Sequence, residues 1–270
     1  MTFDLDELTD AVGTRHRPVA DTPRIVCLVP SITELICELE LADSLVGRTG
    51  FCIHPRERLR TVPKVGGTKD VKLDAIRALA PTHVIVNIDE NRRETVDELA
   101  TFVPEIIVTH PCVPADNFAL YRLLGGVFGR AAEAAQLADG LRAALDEAAE
   151  VTAALPPERV LYLIWREPWM TVASATYISA MLAAVGWITL PQEASLRYPT
   201  VDWQAPWVAD AARVFLSTEP YTFGERHMAE VAALSGRPVN LIDGEMASWY
   251  GSRAIAGLRY LAALRRRLAV

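Results

Sequence analysis

The sequence predicts an α/β protein with two Rossmann-like lobes, each built on a parallel sheet, joined by a long backbone helix, with a ligand cleft between the lobes. Two observations support this fold class. Short apolar strands alternate with amphipathic helices over residues 24–109 and again over residues 159–268, which is typical of parallel sheets covered by helices. Between them, residues 115–154 keep helical apolar spacing without a strand signal.

These patterns divide the chain into four parts. Residues 1–23 form a polar lead-in, 24–114 the N-terminal lobe, 115–155 the bridging helix and 156–270 the C-terminal lobe. Within the bridge, residues 131–154 would form one helix about 35 Å long at a rise of about 1.5 Å per residue.

The N-terminal lobe opens with a buried strand over residues 25–29 that stops at Pro30 and leads directly into a helix. Ser31 or Thr33 is expected to cap this helix, and Glu34 stands at capping-box spacing from Ser31. A strand that leads into a helix N-terminus leaves free N–H groups at the carboxyl edge of the sheet, where open α/β sheets bind ligands.

The other elements follow the same alternation. The remaining strands are predicted at residues 45–49, 83–87, 105–109, 159–165, 212–217 and 238–242. The remaining helices outside the bridge are predicted at residues 72–80, 92–101, 177–185, 223–235 and 255–268.

Composition excludes several classes of function. The net charge of −7 argues against a nucleic-acid partner. No apolar run approaches the roughly 20 residues needed to span a membrane. The acidic start of the chain lacks the apolar segment of a secretory signal. A cytoplasmic protein is therefore expected, or a periplasmic one if the chain is a trimmed form.

The four cysteines, Cys27, Cys37, Cys52 and Cys112, show no metal-type spacing. Buried free thiols in a reducing compartment are expected. The sequence also has no GxSxG, P-loop or GxGxxG motif after the first strand, so no catalytic role is predicted.

Several segments resemble one family. Residues 24–35, Arg-Ile-Val-Cys-Leu-Val-Pro-Ser-Ile-Thr-Glu-Leu, are similar to the first motif of the helical-backbone (class III) periplasmic binding proteins, which bind vitamin B12, ferric siderophores and haem for import by ABC transporters. Val46-Gly47 and Val65-Gly66-Gly67 resemble later N-lobe segments. Residues 160–165 and 249–253 resemble C-lobe segments of the vitamin-B12 branch.

The resemblance implies a solute-binding protein for a corrinoid (cobalamin-like) or ferric-siderophore chelate, without covalent catalysis and without a tightly bound cofactor. It also implies an ABC transporter permease as partner. Family members present an exposed Glu on each lobe to the transporter. At the positions that resemble these glutamates, this chain has Asp74 and Gln204. These departures, with the missing signal, argue against ordinary docking. A monomer without membrane insertion is expected.

Candidate ligand-binding residues of the N-terminal lobe follow its strands: Pro30, Ser31, Phe51, Lys69 and Asn87. Loops at strand ends commonly carry binding residues. The alternatives are that Lys69 is a solvated surface lysine and that the loop beginning at Asn87 caps the following helix.

In the C-terminal lobe, Trp165, Trp169 and Tyr198 are candidates for stacking on a flat ring. The alternative places Trp165 in the core and Trp169 against the next helix. Glu219 follows a strand and either meets a cationic group or, as we favour, caps the next helix.

The stretch from Asp243 to Arg253 is the strongest candidate of this lobe. By resemblance to the vitamin-B12 branch, Trp249 and Arg253 lie on a ligand-facing loop, with Tyr250 beside them. The alternative is a helix cap from Ser248 or Ser252 next to a buried aromatic residue.

His54 and His110 both follow strands and precede prolines. They are candidate metal ligands together with nearby carboxylates, and His54 is also a candidate axial ligand for corrinoid cobalt or haem iron. Three hypotheses follow: a solute-binding protein for a corrinoid or ferric chelate, a cytoplasmic ligand carrier or sensor of the same fold, and a metal-binding protein or metal-dependent enzyme.

Overall fold

A computed structural model describes residues 8–193 and 195–269, so the first seven residues of the predicted lead-in lie outside the described residues. The chain forms two compact units. Unit 1 holds the residues up to Pro111, Ala115–Gly140 and Tyr250–Arg253, and unit 2 holds Cys112–Pro114, Leu141–Trp249 and the residues from Ala254 on. Each unit contains a largely parallel sheet with helices, which confirms the predicted fold class.

Unit 1 is built on a four-stranded parallel sheet. Its strands are β1 (Ile25–Cys27), β2 (Leu45–Arg48), β3 (His83–Asn87) and β4 (Glu105–Thr109), in the order β2-β1-β3-β4. Its helices are α1 (Pro30–Glu38), α2 (Arg56–Leu59), α3 (Leu73–Ala78), α4 (Arg93–Leu99) and α5 (Asn117–Val127). Helix α6 (Ala131–Ala154) has the predicted bounds, and the boundary between the units falls inside it, after Gly140.

Strand β1 lies in the interior of its sheet, and its three residues are fully buried. Val26 pairs in parallel with Gly47 on one side and with Val84 on the other. A strand buried on both faces requires a continuous apolar run, which is what the sequence has here. The strand is two residues shorter than predicted.

The start of α1 differs from the prediction. Val29 is the N-cap residue and Pro30 occupies the first helical turn, so Ser31, Thr33 and Glu34 all lie inside the helix. The predicted capping box is therefore wrong. Proline suits the first helical position because it has no N–H to leave unpaired, and it fixes the helix start ahead of Ser31. The Thr33 hydroxyl instead donates to the Val29 carbonyl at 2.9 Å.

Part of the lead-in is tied to the sheet through a buried ionic cluster. His16 contacts Asp10 at 3.3 Å and Glu105 at 3.2 Å, and the N–H of Val108 donates to Asp10 at 3.0 Å. Burial alone would raise the pKa of Asp10, but these hydrogen bonds outweigh it and lower that pKa. Burial alone would lower the pKa of His16, but the two carboxylates raise it. Both shifts favour the ionised forms of Asp10 and His16, and their contacts anchor the segment to β4.

Unit 2 is built on a mixed five-stranded sheet. Its strands are β5 (Glu158–Trp165), β6 (Met170–Thr171), β7 (Trp187–Thr189), β8 (Arg213–Ser217) and β9 (Val239–Ile242). The order is β6-β5-β8-β9, with β7 also paired to β5, and only β6 is antiparallel. Its helices are α7 (Tyr177–Ala183), α8 (Pro206–Ala209), α9 (Met228–Ser235) and α10 (Gly244–Ser248), and α11 (Arg253–Leu268) continues into it from unit 1.

The elements absent from the sequence prediction are the short ones: α2, β6, β7, α8 and α10. Elements of two to five residues span too few periods of apolar residues for periodicity to reveal them. Helix α10 lies within the stretch that was predicted to be a loop. The Asp243 side chain caps it by accepting from the N–H of Met246 at 3.2 Å.

The segment Tyr250–Arg253 comes from the end of the chain but belongs to unit 1. The N–H of Gly251 donates to the Asn117 side chain at 2.6 Å, and the Tyr121 hydroxyl donates to the Gly251 carbonyl at 2.9 Å. Gly251 has φ of +73°, and a Cβ there would lie 3.2 Å from Leu35 Cβ and 3.3 Å from the Ser31 carbonyl oxygen. Only glycine allows this close approach to α1 without strain.

We predict that Gly251→Ala destabilises the protein more than Gly186→Ala. Both residues have positive φ, but a Cβ at Gly186 would meet nothing within 4 Å. Each alanine meets the backbone cost of about 1–2 kcal/mol, and only Gly251→Ala adds crowding of about 1–3 kcal/mol. Urea unfolding of both variants measures the difference. Equal losses would show that the contact with α1 is unimportant.

Candidate functional site

The carboxyl edge of the unit 1 sheet exposes apolar side chains on its loops. Phe51 and Ile53 follow β2 and are 63% and 50% exposed, and Ile88 follows β3 and is 46% exposed. A Cβ on Gly67 would lie 3.4 Å from the Phe51 ring, so the ring lies against the glycine loop after residue 64. Strands β2 and β3 are parallel, so both loops leave the same edge of the sheet.

Polar side chains at this edge brace the loop after β3. Asn87 is buried, and its side chain accepts from the N–H of Asp89 at 2.8 Å and donates to Thr109 at 3.3 Å. Asn91 accepts from the N–H of Asn87 at 2.8 Å. The Lys69 ammonium donates to the Asp89 carbonyl at 2.8 Å. Arg92 is the N-cap of α4, so this loop does not cap the helix as the alternative proposed.

Tyr250 is buried in unit 1, and its hydroxyl donates to Glu90 in a short hydrogen bond. Burial raises the pKa of Tyr250 well above its usual value, and the negative charge of Glu90 raises it further. The phenol is therefore a neutral donor at physiological pH. Ser31 is buried, and Pro30 is half-buried at the start of α1. Pro30 and Ser31 therefore contribute to the shape of the carboxyl edge of the sheet but expose few functional groups there.

Arg253 forms a bidentate ion pair with Glu34. Its Nε and Nη2 donate to the two carboxylate oxygens at 2.8 and 2.6 Å, and both side chains are mostly buried. Parallel N–H···O bonds of this kind fix geometry as well as contribute energy. The guanidinium is thereby fixed against the first turns of α1, which carries Glu34.

The carboxyl edge of the unit 2 sheet also exposes apolar groups. Trp165 ends β5, is 41% exposed and packs edge-to-face against Tyr221 with ring centroids 5.7 Å apart. Leu196 and Tyr198 lie on the loop before Thr200, which runs beside β6 rather than at the end of β5, and are 64% and 39% exposed. Arg197 lies over the Tyr198 ring, 5.7 Å from its centroid. The alternative that Trp165 lies in the core therefore does not hold.

Trp169 lies instead within an aromatic cluster of unit 2. It stacks on Phe223 with an interplanar angle of 6° and meets Trp203 edge-to-face. Arg166 lies 5.6 Å above the Trp169 ring and pairs with Glu230 at 3.0 Å. This cluster supports the loop that begins at Trp165.

Glu219 follows β8 and holds the end of α10. One of its carboxylate oxygens accepts from the Ser248 hydroxyl at 2.7 Å and from the indole N–H of the buried Trp249 at 2.9 Å. The predicted cap of the next helix by Glu219 is wrong, because its carboxylate is used here. The predicted cap from Ser248 is wrong too, since Ser248 ends α10 and bonds to Glu219.

The electrostatics of this contact disfavour a charged Glu219. Burial raises its pKa, and the nearby Glu245 and Asp243 raise it further, against the two hydrogen bonds. A Cβ on Gly244 would lie 2.6 Å from Glu219 Cγ, so glycine is needed there to admit the carboxylate.

Residues 25–236 match the family model described as periplasmic binding protein, which is more than half of the chain. The chain belongs to the periplasmic binding protein family. Family members are substrate-binding proteins and not enzymes, so the prediction of no enzymatic activity is confirmed. A solute-binding role follows from membership. No match was found among curated protein sequences.

Solved structures of this fold include the periplasmic vitamin B12 binding protein BtuF of Vibrio cholerae, at TM-score 0.79 and 18% identity, covering 92% of this chain and 98% of the other. The periplasmic heme-binding protein RhuT from Roseiflexus sp. RS-1, in apo form, has TM-score 0.79 and 22% identity, with 93% and 100% covered. The periplasmic heme-binding protein HutB of Vibrio cholerae has TM-score 0.75 and 17% identity, with 90% and 99% covered.

The hypothesis of a metal site finds little support in the periplasmic-binding-protein fold seen here. His54 and His110 follow β2 and β4, which lie at opposite sides of the sheet with two strands between them, a span of about 14 Å at the usual strand spacing. His110 pairs with Asp89 at 3.4 Å. Within residues 8–193 and 195–269, no three His, Cys, Asp or Glu side chains are grouped to hold a metal ion.

Among the described helices, none is long and apolar enough to cross a membrane.

Ile53, Ile88 and Leu196 were not predicted from the sequence as site residues. Single aliphatic residues in polar loops give no periodic signal, and only the structure shows that they are exposed. The aromatic candidates differ in their exposure to solvent. Phe51, Trp165 and Tyr198 are exposed, whereas Trp249 and Tyr250 are buried.

We predict that Arg253→Ala lowers the free energy of unfolding by about 2–5 kcal/mol, because it leaves the mostly buried Glu34 carboxylate unpaired. The matched control is Arg259→Ala, whose ion pair with Glu147 is 48% and 43% exposed and is worth about 0–1 kcal/mol. Urea unfolding measures both, and a double-mutant cycle with Glu34→Ala isolates the pair. Similar losses in the two variants would contradict a structural role for the Glu34 pair.

We predict that Glu219→Gln becomes more stabilising, relative to the parent protein, as pH rises. The pKa of Glu219 is raised above its ordinary value of 4.5, so its protonated form stabilises the fold below that value and this contribution is lost as pH rises through the folded pKa. Glutamine keeps an oxygen acceptor for Trp249 without the charge. Urea unfolding at pH 4 and pH 7.5 measures the change.

The control for this prediction is Glu193→Gln, which alters an exposed side chain of the same unit. Its effect on the free energy of unfolding should stay small at both pH values. If Glu219→Gln destabilises the protein at pH 7.5, the charged carboxylate is the preferred partner of Trp249, and the electrostatic argument is wrong.

Proposed function

We propose that this protein binds a flat metal macrocycle, a corrinoid or a haem, through the carboxyl-edge loops of its two sheets. The observation that carries the proposal is the set of exposed apolar side chains on those loops. The set is Phe51, Ile53 and Ile88 in unit 1 and Trp165 in unit 2, with Leu196 and Tyr198 on the loop beside β6. Exposed apolar groups on the loops of one unit commonly mark a binding surface.

Two of the cations near these loops are unavailable to an anionic ferric siderophore. Arg253 is paired with Glu34, and Arg166 is paired with Glu230 and Glu167. These cations are already neutralised by carboxylates, so they are poorly available to a strongly anionic chelate. Aromatic rings and aliphatic side chains, in contrast, can stack on a macrocycle without desolvating charges. The vitamin B12 and heme ligands named for proteins of the same fold agree with this choice.

The test is a titration with cyanocobalamin, haemin and a ferric hydroxamate chelate, followed by tryptophan fluorescence and visible absorption. Phe51→Ala and Trp165→Ala should each weaken macrocycle binding about 10- to 150-fold, since burying a large apolar side chain is worth about 1.5–3 kcal/mol. The control is Leu234→Ser, which is 42% exposed near the end of α9. It should change affinity less than about twofold.

Two outcomes would overturn the proposal. The first is the absence of a fluorescence or spectral change with either macrocycle. The second is binding of the ferric chelate alone, which would make a ferric siderophore the ligand class. Equal losses in the Phe51 and Leu234 variants would remove the carboxyl-edge loops from the binding surface.

A second candidate is a ligand carrier or sensor that does not serve a transporter. Asp74 and Gln204 are both exposed at the positions where the resemblance expects glutamates, and Gln204 carries no charge for a permease to recognise. Fractionation of cells that express the full natural gene separates the two roles. Recovery with cytoplasmic markers supports the carrier, and recovery outside the cytoplasmic membrane supports uptake through an ABC transporter.

A further inference from the structure

Unit 1 contains a pocket beside the edge strand β2 that the proposed function does not use. Its volume is about 520 Å³, within the range of about 300–1,000 Å³ that is usual for small-molecule sites. The residues that line it lie between the end of β2 and residue 64, and they include Arg48, His54, Arg56, Arg60 and Lys64. In the described chain, no Asp or Glu lines it.

Arg48 is the notable member because it is buried without a counter-ion. It is 7% exposed. Its Nε donates to the Leu59 carbonyl at 3.2 Å, and its Nη1 donates to the carbonyls of Thr49 and Cys52 at 3.1 and 2.9 Å. Among the described residues it has no carboxylate partner. A buried charge is costly unless it is paired.

The donor count of Arg48 shows what remains for a ligand. A guanidinium has five N–H donors, and the three carbonyls engage those of Nε and Nη1. The two N–H groups of Nη2 have no acceptor among the described residues, and Arg48 lines the pocket. Carbonyls hold the guanidinium in place but do not neutralise it.

Three further cations lie around the same pocket: Arg56, Arg60 and Lys64 are exposed and are among its lining residues. In the described part of the chain, none of these three side chains forms an ion pair with a carboxylate. The protein as a whole carries a net charge of −7. A pocket with four cations and no lining carboxylate therefore has the opposite charge to the protein as a whole. Such a site raises the local concentration of anions.

We propose that this pocket binds a phosphate-bearing small molecule, with the anion accepting from Arg48 and the exposed cations completing the neutralisation. Four cations call for a ligand with more than one negative charge, and guanidinium groups match the geometry of phosphate oxygens. Apolar side chains of Ile53 and Leu59 also line the pocket, so an organic portion can pack beside the phosphate. The pocket shares Ile53 with the apolar loops, but its cations take no part in the proposed macrocycle binding, so this proposal does not rest on it.

The experiment uses pyrophosphate as the probe and isothermal titration calorimetry on the full chain without macrocycle. Binding should weaken at least tenfold in Arg56→Ala/Arg60→Ala. The matched control is Arg92→Ala/Arg93→Ala, which removes the same two charges from an exposed part of unit 1 and should change affinity less than twofold. No binding to the parent protein, or equal losses in both double variants, would overturn the proposal.

A conservative variant tests the buried residue itself. Arg48→Lys keeps the charge but has only three N–H donors for the same three carbonyls, so it should weaken pyrophosphate binding at least tenfold. Circular dichroism and urea unfolding establish that the variant is folded, and Lys64→Ala provides a second measure if it is not. Tighter binding of citrate than of pyrophosphate to the parent protein would make the site one for polycarboxylates and overturn the phosphate assignment.

Discussion

The constraint on which unit 1 depends is the return of the chain end into it. The segment Tyr250–Arg253 supplies backbone to Asn117 and Tyr121, a hydroxyl to Glu90 and a guanidinium to Glu34. Each of these groups lies at the carboxyl edge of the sheet or on the helices that border it. Unit 1 is therefore completed only when the last part of the chain has been made, although its sheet is formed by the first 109 residues.

The polar residues at the strand ends are largely used by the protein itself. Asn87 braces its own loop, Tyr250 donates to Glu90, and Glu219 accepts from Trp249. A buried polar group that lacks a partner is expensive, whereas a satisfied one rigidifies its surroundings. The exposed apolar loop residues thus stand on a rigid support, and this arrangement favours recognition of a ligand by shape and stacking rather than by many charges.

The basic pocket beside β2 follows a different principle. Arg48 is fixed by main-chain carbonyls that cannot cancel its charge. Unit 1 thus offers an apolar surface and a cationic pocket, and the loop after β2 contributes Ile53 to both. The two surfaces select for different chemistry, because the pocket adds cations that the apolar loop residues lack.

The sequence by itself determined the alternation of strands and helices, the burial of strand β1 and the bounds of α6. These features depend on local periodicity, which is visible within one or two turns of chain. Only the tertiary structure decided the partner of Glu34, which lies 219 residues away in Arg253, and the burial of Trp249 and Tyr250. Contacts of this separation depend on strand order and on where the chain re-enters a unit, and no local pattern records them. The capping box failed for a related reason, since Glu34 had a tertiary partner and Pro30 had already started the helix.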